Sequence, residues 1–491
     1  MNYTLVAFVV LYLLISIGIG LLAARRVHNT ADYAVAGRSL PLAVVIATTF
    51  ATWFGSETVV GVSARFVSGN LGQVVEDPFG ASMCLILVGL FFARKLYKRN
   101  LITLGDYYRQ RYGRVIEIVC SIMILISYLG WVAAQVTALG LVFHLLVPAI
   151  PIAGGMVLGT VIVLVYTLYG GMWSVALTDF VQMIVIALGL LAIAWFAADL
   201  AGGAGKVFTY ASEQGKFQFF PSDGEPKTWI FFFAAAITMM LGSIPQQDVF
   251  QRVMSSKNED IAMRGPVIGG SLYFLFALIP MFIVTAAVMV MGEQATKLLA
   301  DDPQKVLPTL VMERMPVILQ VAFFGALLSA IMSTASATLL APSTTFVENI
   351  LRNIKPGMTD RATLRAMRIS VVAFTALVLV YSIAMQGTSI YDLVSGAYQV
   401  PLVGAFVPLV FGIYWSRATT QGALASVALG ITTWLFFVVT PPLAEAFPQQ
   451  LAGLLAALAG MIGGSLMPQW VADSKGHVHH YEGTARGGAA A

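Results

Sequence analysis

The stretch ATTFATWFGSETVVGVSA, residues 47–64, is apolar enough for a membrane, yet Gly55, Ser56 and the charged Glu57 sit at its centre. A second stretch breaks in the same way. FFFAAAITMMLGSIPQQDVFQR, residues 231–252, is interrupted by Gly242 and Pro245 ahead of Gln246, Gln247 and Asp248. In hydrocarbon every backbone N–H and C=O needs a partner, so an interrupted helix survives only where its backbone is buried in protein or lines a cavity. A plain Gly/Pro kink in each is the simpler reading. A matched pair of broken spans in corresponding halves of a chain instead points to inverted repeats with a binding site between them.

The rest of the chain supports that frame. Of its 491 residues 58% are hydrophobic and only 11% charged, with a mean hydropathy of +0.83, which no ordinary soluble domain shows. Apolar runs of membrane-crossing length recur from end to end. They number about thirteen, the two broken stretches being the second and seventh. Spans 2–6 and 7–11 then form two five-helix units, and an odd repeat length inverts one against the other. The expected organisation is an extra N-terminal span in 1–28, a first repeat in 37–200, a second in 229–415, two C-terminal spans in 418–469, and a disordered cytoplasmic tail over 470–491. The HVHH of that tail, at 477–480, reads as incidental rather than as a metal site.

With the N-terminus outside and the C-terminus inside, most of the 28 lysines and arginines fall on the cytoplasmic side. The exceptions are Arg65, Lys206, Lys216, Lys227, Lys297, Lys305 and Arg314. The positive-inside rule therefore supports this orientation and an odd number of spans. Thr4–Ala24 lacks a basic segment before it and is followed by Arg25 and Arg26, so it reads as a retained span rather than a signal peptide. A pI near 8.9 gives no case for nucleic-acid binding. Cys84 and Cys120 lie in apolar runs and act as small core residues. Short loops without a eukaryotic targeting feature suggest a bacterial inner membrane, and no feature calls for an obligate protein partner.

A third stretch carries chemistry. Phe324–Asn349, FGALLSAIMSTASATLLAPSTTFVEN, is an apolar span with hydroxyl residues through its middle. One reading has these hydroxyls bonding back to carbonyls a turn earlier. The other joins the Ser333 and Thr334 hydroxyls and the Ala330 carbonyl with the carbonyls of Ala51 and Phe54, which stand just before the first break. Five neutral oxygens with no carboxylate suit a monovalent cation, Na⁺, over Ca²⁺ or Mg²⁺.

Residues 165–183, VYTLYGGMWSVALTDFVQM, resemble the signature of the sodium:solute symporter family. GRSLP at 37–41, the Ser333–Thr334 pair and the span pattern agree with it. The resemblance covers everything but the tail. It implies an all-α polytopic membrane protein with the LeuT-type core of inverted five-helix repeats, importing a small polar organic solute with sodium by alternating access. The family's sodium site maps onto Ala51, Phe54, Ala330, Ser333 and Thr334. Some members bind a second sodium using an Asp and hydroxyls that match Asp179 and Ser336, but Ala337 stands where those members carry a further hydroxyl. One sodium per cycle is therefore favoured, with Asp179 attracting the ion at the cytoplasmic mouth or, alternatively, serving only as a helix-terminal carboxylate.

ATWFGSE, GGMWSVALTD and IPQQDVFQR are similar to phrases of the choline-transporting branch, which uses a tryptophan cage. Trp53 and Trp131 match two members of that cage, and Gln246 replaces the third. That exchange favours an amino acid or small carboxylate over a choline-like amine. The solute-binding candidates are Trp53, Ser56, Glu57, Trp131, Gln135, Phe233, Gln246 and Gln247. Glu57 either complements a cationic solute or is neutralised by a neighbouring helix. One charge crossing 100 mV is worth about 2.3 kcal/mol and a tenfold ion gradient about 1.4 kcal/mol, enough without ATP, and no P-loop is present. Proton coupling through Asp179 or Glu57 and a solute-sensing module without transport are the alternatives. An enzyme is not expected, because the spans contain no nucleophile with a neighbouring His and no paired catalytic carboxylates.

Overall fold

The computed structural model describes residues 3–471, so the tail histidines lie outside the described residues. All of its regular structure is helical. In chain order the principal helices are α1 (Tyr3–Ala24), α2 (Leu42–Trp53), α3 (Glu57–Ser68), α4 (Leu71–Tyr97), α5 (Arg114–Leu146), α6 (Ile152–Leu200) and α7 (Pro226–Gly242). They continue with α8 (Gln247–Met254), α9 (Glu259–Met291), α10 (Val317–Ile354), α11 (Asp360–Ala384), α12 (Ile390–Tyr414), α13 (Thr420–Val438) and α14 (Gln449–Leu466). The starts follow local chemistry. Asn258, Thr359, Ser389 and Thr419 each accept a backbone N–H in the first turn of α9, α11, α12 and α13, satisfying donors that a helix leaves open.

Both suspected breaks are real. The chain bends by 52° between α2 and α3 and by 44° between α7 and α8. Among the described residues ten helices are long and apolar enough to cross a membrane, or twelve if each bent pair is one span. The expected thirteen counts residues 152–172 and 174–198 separately; in the structure both belong to the 49-residue α6, which is interrupted at Gly171. At φ 49°, ψ −141° Gly171 holds a conformation closed to residues with a side chain. A Cβ there would also fall 2.4 Å from the Tyr33 carbonyl oxygen. Gly171→Ala is therefore expected to cost about 1–3 kcal/mol, measured as a lower melting temperature and a reduced yield of folded protein.

Burial sorts the helices into an inner and an outer set. The apolar windows of α10 and α12 are 67% and 72% buried, whereas those of α1, α11, α13 and α14 are 28% buried. The inner helices enclose the two broken pairs. At one end of the molecule the GRSLP segment ties these pairs together. The Leu40 N–H donates to the Ser255 carbonyl at 2.9 Å, and the Lys257 N–H donates to the Leu40 carbonyl at 3.0 Å. Arg38 packs its guanidinium 4.1 Å from the Tyr97 ring centre and donates to the Tyr97 carbonyl. That end is closed. Toward the other end a vestibule of about 690 Å³ opens, with Gly61, Arg65 and Tyr391 among its walls.

Candidate functional site

The hydroxyls of α10 divide into two groups. Ser329, Ser336, Thr338, Ser343, Thr344 and Thr345 donate to carbonyls of their own helix three or four residues back. Ser333 and Thr334 do not. Their hydroxyls reach across to the Ala51 carbonyl oxygen at the end of α2, at 3.5 and 3.3 Å. Thr334 also faces the break itself, since a Cβ on Gly55, next to Phe54, would meet its Oγ1 at 2.7 Å. The structure thus brings Ala51, Ser333 and Thr334 together at the α2–α3 break, with Phe54 and Ala330 beside them in the chain and all five residues buried.

Asp179 stands closer than a mouth position implies. Its carboxylate accepts from Ser333 Oγ at 2.5 Å and from the Thr48 hydroxyl, and it is fully buried. Arg252 of α8 lies 3.6 Å from the same carboxylate and 3.7 Å from Asp248, and donates to the Thr48 carbonyl at 2.7 Å. A buried chain of charge therefore runs from the Ser333 hydroxyl through Asp179 and Arg252 to Asp248. It joins the two broken helices. Ser336, by contrast, spends its hydroxyl on the Ser333 carbonyl at 2.9 Å.

Above this chain lies an aromatic cluster. Trp53 and Trp131 stack with ring centres 4.9 Å apart, and Tyr398 of α12 packs against both at 5.5 and 5.4 Å. Tyr128 stacks on Trp131 at 5.9 Å and donates its hydroxyl to Asp248 at 2.6 Å. Gln135 completes the α2–α3 break: its Oε1 accepts from the Ser56 N–H at 3.0 Å and its Nε2 donates to Glu57 Oε2 at 2.6 Å. The indole N–H of Trp131 lies beside the Glu57 carboxylate without reaching hydrogen-bond geometry. Several buried polar atoms here have no hydrogen-bond partner among the described residues: Glu57 Oε1, Ser56 Oγ, Ser243 Oγ, Gln246 Oε1 and the Tyr398 hydroxyl.

Two candidates do not face this centre. Phe233 is 55% exposed and packs with Trp229 and Phe232 on the outer surface of α7. Gln247 commits both ends of its amide to backbone, accepting from the Leu104 N–H and donating to the Ile102 carbonyl. Gln246 is placed at the α7–α8 break and donates to Ser127 at 2.8 Å. Tyr398, Tyr128, Asp248 and Arg252 also meet at this centre, outside the candidates that sequence pattern supplies. Only the two charges left a signal, as ionisable residues at membrane depth.

The family model for the sodium:solute symporter family matches residues 33–430. The chain belongs to this family. The symporter is 29% identical over 444 residues to the human high affinity choline transporter 1, covering 87% of this chain and 75% of that relative. It is 23% identical to the sodium/glucose cotransporter of Vibrio parahaemolyticus, covering 88% and 84%. Its fold matches a Na⁺-coupled sialic acid symporter in a substrate-bound outward-open state, with a TM-score of 0.84 at 19% identity over 94% of this chain and 97% of that one. MHP1, a nucleobase-cation-symport-1 family transporter, matches with a TM-score of 0.59 at 14% identity over 89% and 94%. The fold is the LeuT type. As a family member the symporter is an integral membrane protein that couples sodium to the import of a small organic solute, and it is not an enzyme.

Proposed function

We propose that this symporter drives a small organic cation with one sodium ion, held by the Ala51, Phe54 and Ala330 carbonyls and the Ser333 and Thr334 hydroxyls. Around a hard cation at about 2.3–2.6 Å, neighbouring ligand oxygens at right angles stand about 3.3–3.7 Å apart. The separations of 3.3 and 3.5 Å between the Ala51 oxygen and the two hydroxyls agree with that spacing. In this reading the repeats cover 37–200 and 229–415, with the ion at the first break and the solute between the two breaks. The basic residues favour an outside N-terminus and a cytoplasmic C-terminus, in a bacterial inner membrane.

The observation that carries the solute class is the three-ring cluster of Trp53, Trp131 and Tyr398 beside the buried carboxylate of Glu57. Aromatic faces attract a desolvated cation. Gln246 removes one ring expected from the choline-transporting branch, and Tyr398 of α12 supplies a third from another helix. A carboxylate solute would need a cation, and Arg252 is already shared by Asp179 and Asp248. The choline transporters among the relatives fit the cationic reading. Proteoliposomes under an inward sodium or potassium gradient, offered labelled choline, ethanolamine, proline and acetate, test it. Sodium-driven uptake of an amine is expected; uptake of acetate alone would overturn the cation reading. Trp131→Ala is expected to raise the KM for the transported cation about tenfold to thirtyfold, from a cation–π contact of about 2 kcal/mol, while Trp131→Phe retains most of it.

A further inference from the structure

The aromatic cluster accepts any organic cation, whether its nitrogen carries hydrogens or is fully alkylated. The polar groups around it are more selective. Glu57 places one carboxylate oxygen on Gln135, and its other oxygen, Oε1, has no partner. Asp77 of α4 takes the Tyr273 hydroxyl on Oδ1 and leaves Oδ2 without a partner. Both residues are 1% exposed. They lie within electrostatic range of one another, linked through Tyr273, whose hydroxyl is 3.1 Å from that of Thr58 in α3. Among the described residues neither has a lysine, arginine or histidine within 4.0 Å. A buried carboxylate with one oxygen unpartnered and no counter-charge beside it is unfavourable.

We propose that the solute is a protonated amine bearing N–H groups, and that Glu57 and Asp77 receive them while the rings hold its charge. This rests on the cationic-solute reading above and narrows it. An ammonium with two or three hydrogens donates to both open oxygens; a quaternary ammonium donates to neither. The approach has matching chemistry. The vestibule reaches Gly61, one turn beyond Glu57 on α3, and its wall carries Asp301, Asp302 and Asp392 against Arg65 and Lys305. Glu76, next to Asp77, is 8% exposed and leaves Oε2 unpartnered. The vestibule wall thus sets three carboxylates against two basic side chains, a balance that concentrates cations at its mouth.

The test uses the purified full chain in proteoliposomes under an inward sodium gradient. The probes are ethanolamine, N-methylethanolamine, N,N-dimethylethanolamine and choline, which share one skeleton and lose one N–H at each step. Methylamine through tetramethylammonium is run in parallel, so that the hydroxyethyl arm does not decide the result. Uptake efficiency is expected to fall with methylation, by about tenfold or more from the primary amine to the quaternary one. Glu57→Gln and Asp77→Asn are expected to flatten that order to within about threefold, with sodium-induced stabilisation of each purified variant reporting that it is folded. Equal or better transport of the quaternary members overturns the proposal. So does an unchanged order in both variants, or failure of every amine in a protein that sodium stabilises. Absence of sodium stabilisation and of any sodium-driven flux in the unaltered protein would instead strike the proposed sodium cage.

Discussion

Replacing Ser333 with alanine is expected to raise the sodium concentration for half-maximal uptake by about tenfold to a hundredfold, the scale on which even supporting residues of a metal site act. Ser333 is one of only two α10 hydroxyls that leave their own helix for the α2–α3 break. The substitution removes an oxygen of the proposed sodium cage and also the donor that holds Asp179. Sodium-dependent uptake at several sodium concentrations, and the sodium-induced shift in melting temperature, both read it. Ser336→Ala is the contrast. Its hydroxyl bonds to its own helix, so sodium affinity is expected to stay within about threefold, the loss of one ordinary hydrogen bond. An equal loss in both variants would speak for a second sodium near Asp179.

The second large effect concerns Arg252. This side chain is 1% exposed and lies between two buried carboxylates, Asp179 and Asp248. Arg252→Leu leaves both without a counter-charge, and breaking a buried ion set in this way costs about 3–5 kcal/mol. The melting temperature is expected to drop sharply and transport to be lost. Adding Asp248→Asn removes one of the two stranded carboxylates, so the double variant is expected to recover part of the stability. It is not expected to recover transport, because the link from Asp179 to α8 remains cut. Recovery of full sodium-driven uptake in that double variant would show that Arg252 serves stability alone. Lysine is a poor replacement here, since the guanidinium donates to the Thr48 and Asp248 carbonyls while facing the Asp179 carboxylate at 3.6 Å.

The arrangement at the breaks also explains which sequence expectations transferred. Gly55, Ser56 and Gly242 through Pro245 announced interrupted helices because backbone propensity is local and a membrane leaves few ways to satisfy it. The hydroxyl pair of α10 was visible for the same reason. Asp179 was recognised but placed too far out, since nothing in a one-dimensional spacing tells how near α6 comes to α10. The acidic pair at 76–77 sits beside Pro78 at the start of an apolar run, where local sequence gives it no role. Its significance depends on Tyr273 and Glu57, which come from α9 and α3.

By itself, then, the amino-acid order determined the helical membrane architecture, the two broken spans and the hydroxyl pair in the middle of α10. Those follow from polarity and backbone freedom, which each residue carries wherever it stands. Tertiary structure alone decided which way the side chains face. It turned Ser333 and Thr334 toward Ala51 while six neighbouring hydroxyls bond back, sent Phe233 to the outer surface and tied Gln247 to the 102–104 backbone. It also brought Tyr398 from α12 to the two tryptophans and Arg252 from α8 to Asp179. Those choices are set by how helices distant in sequence rotate and pack against one another, and no local property of the chain records them.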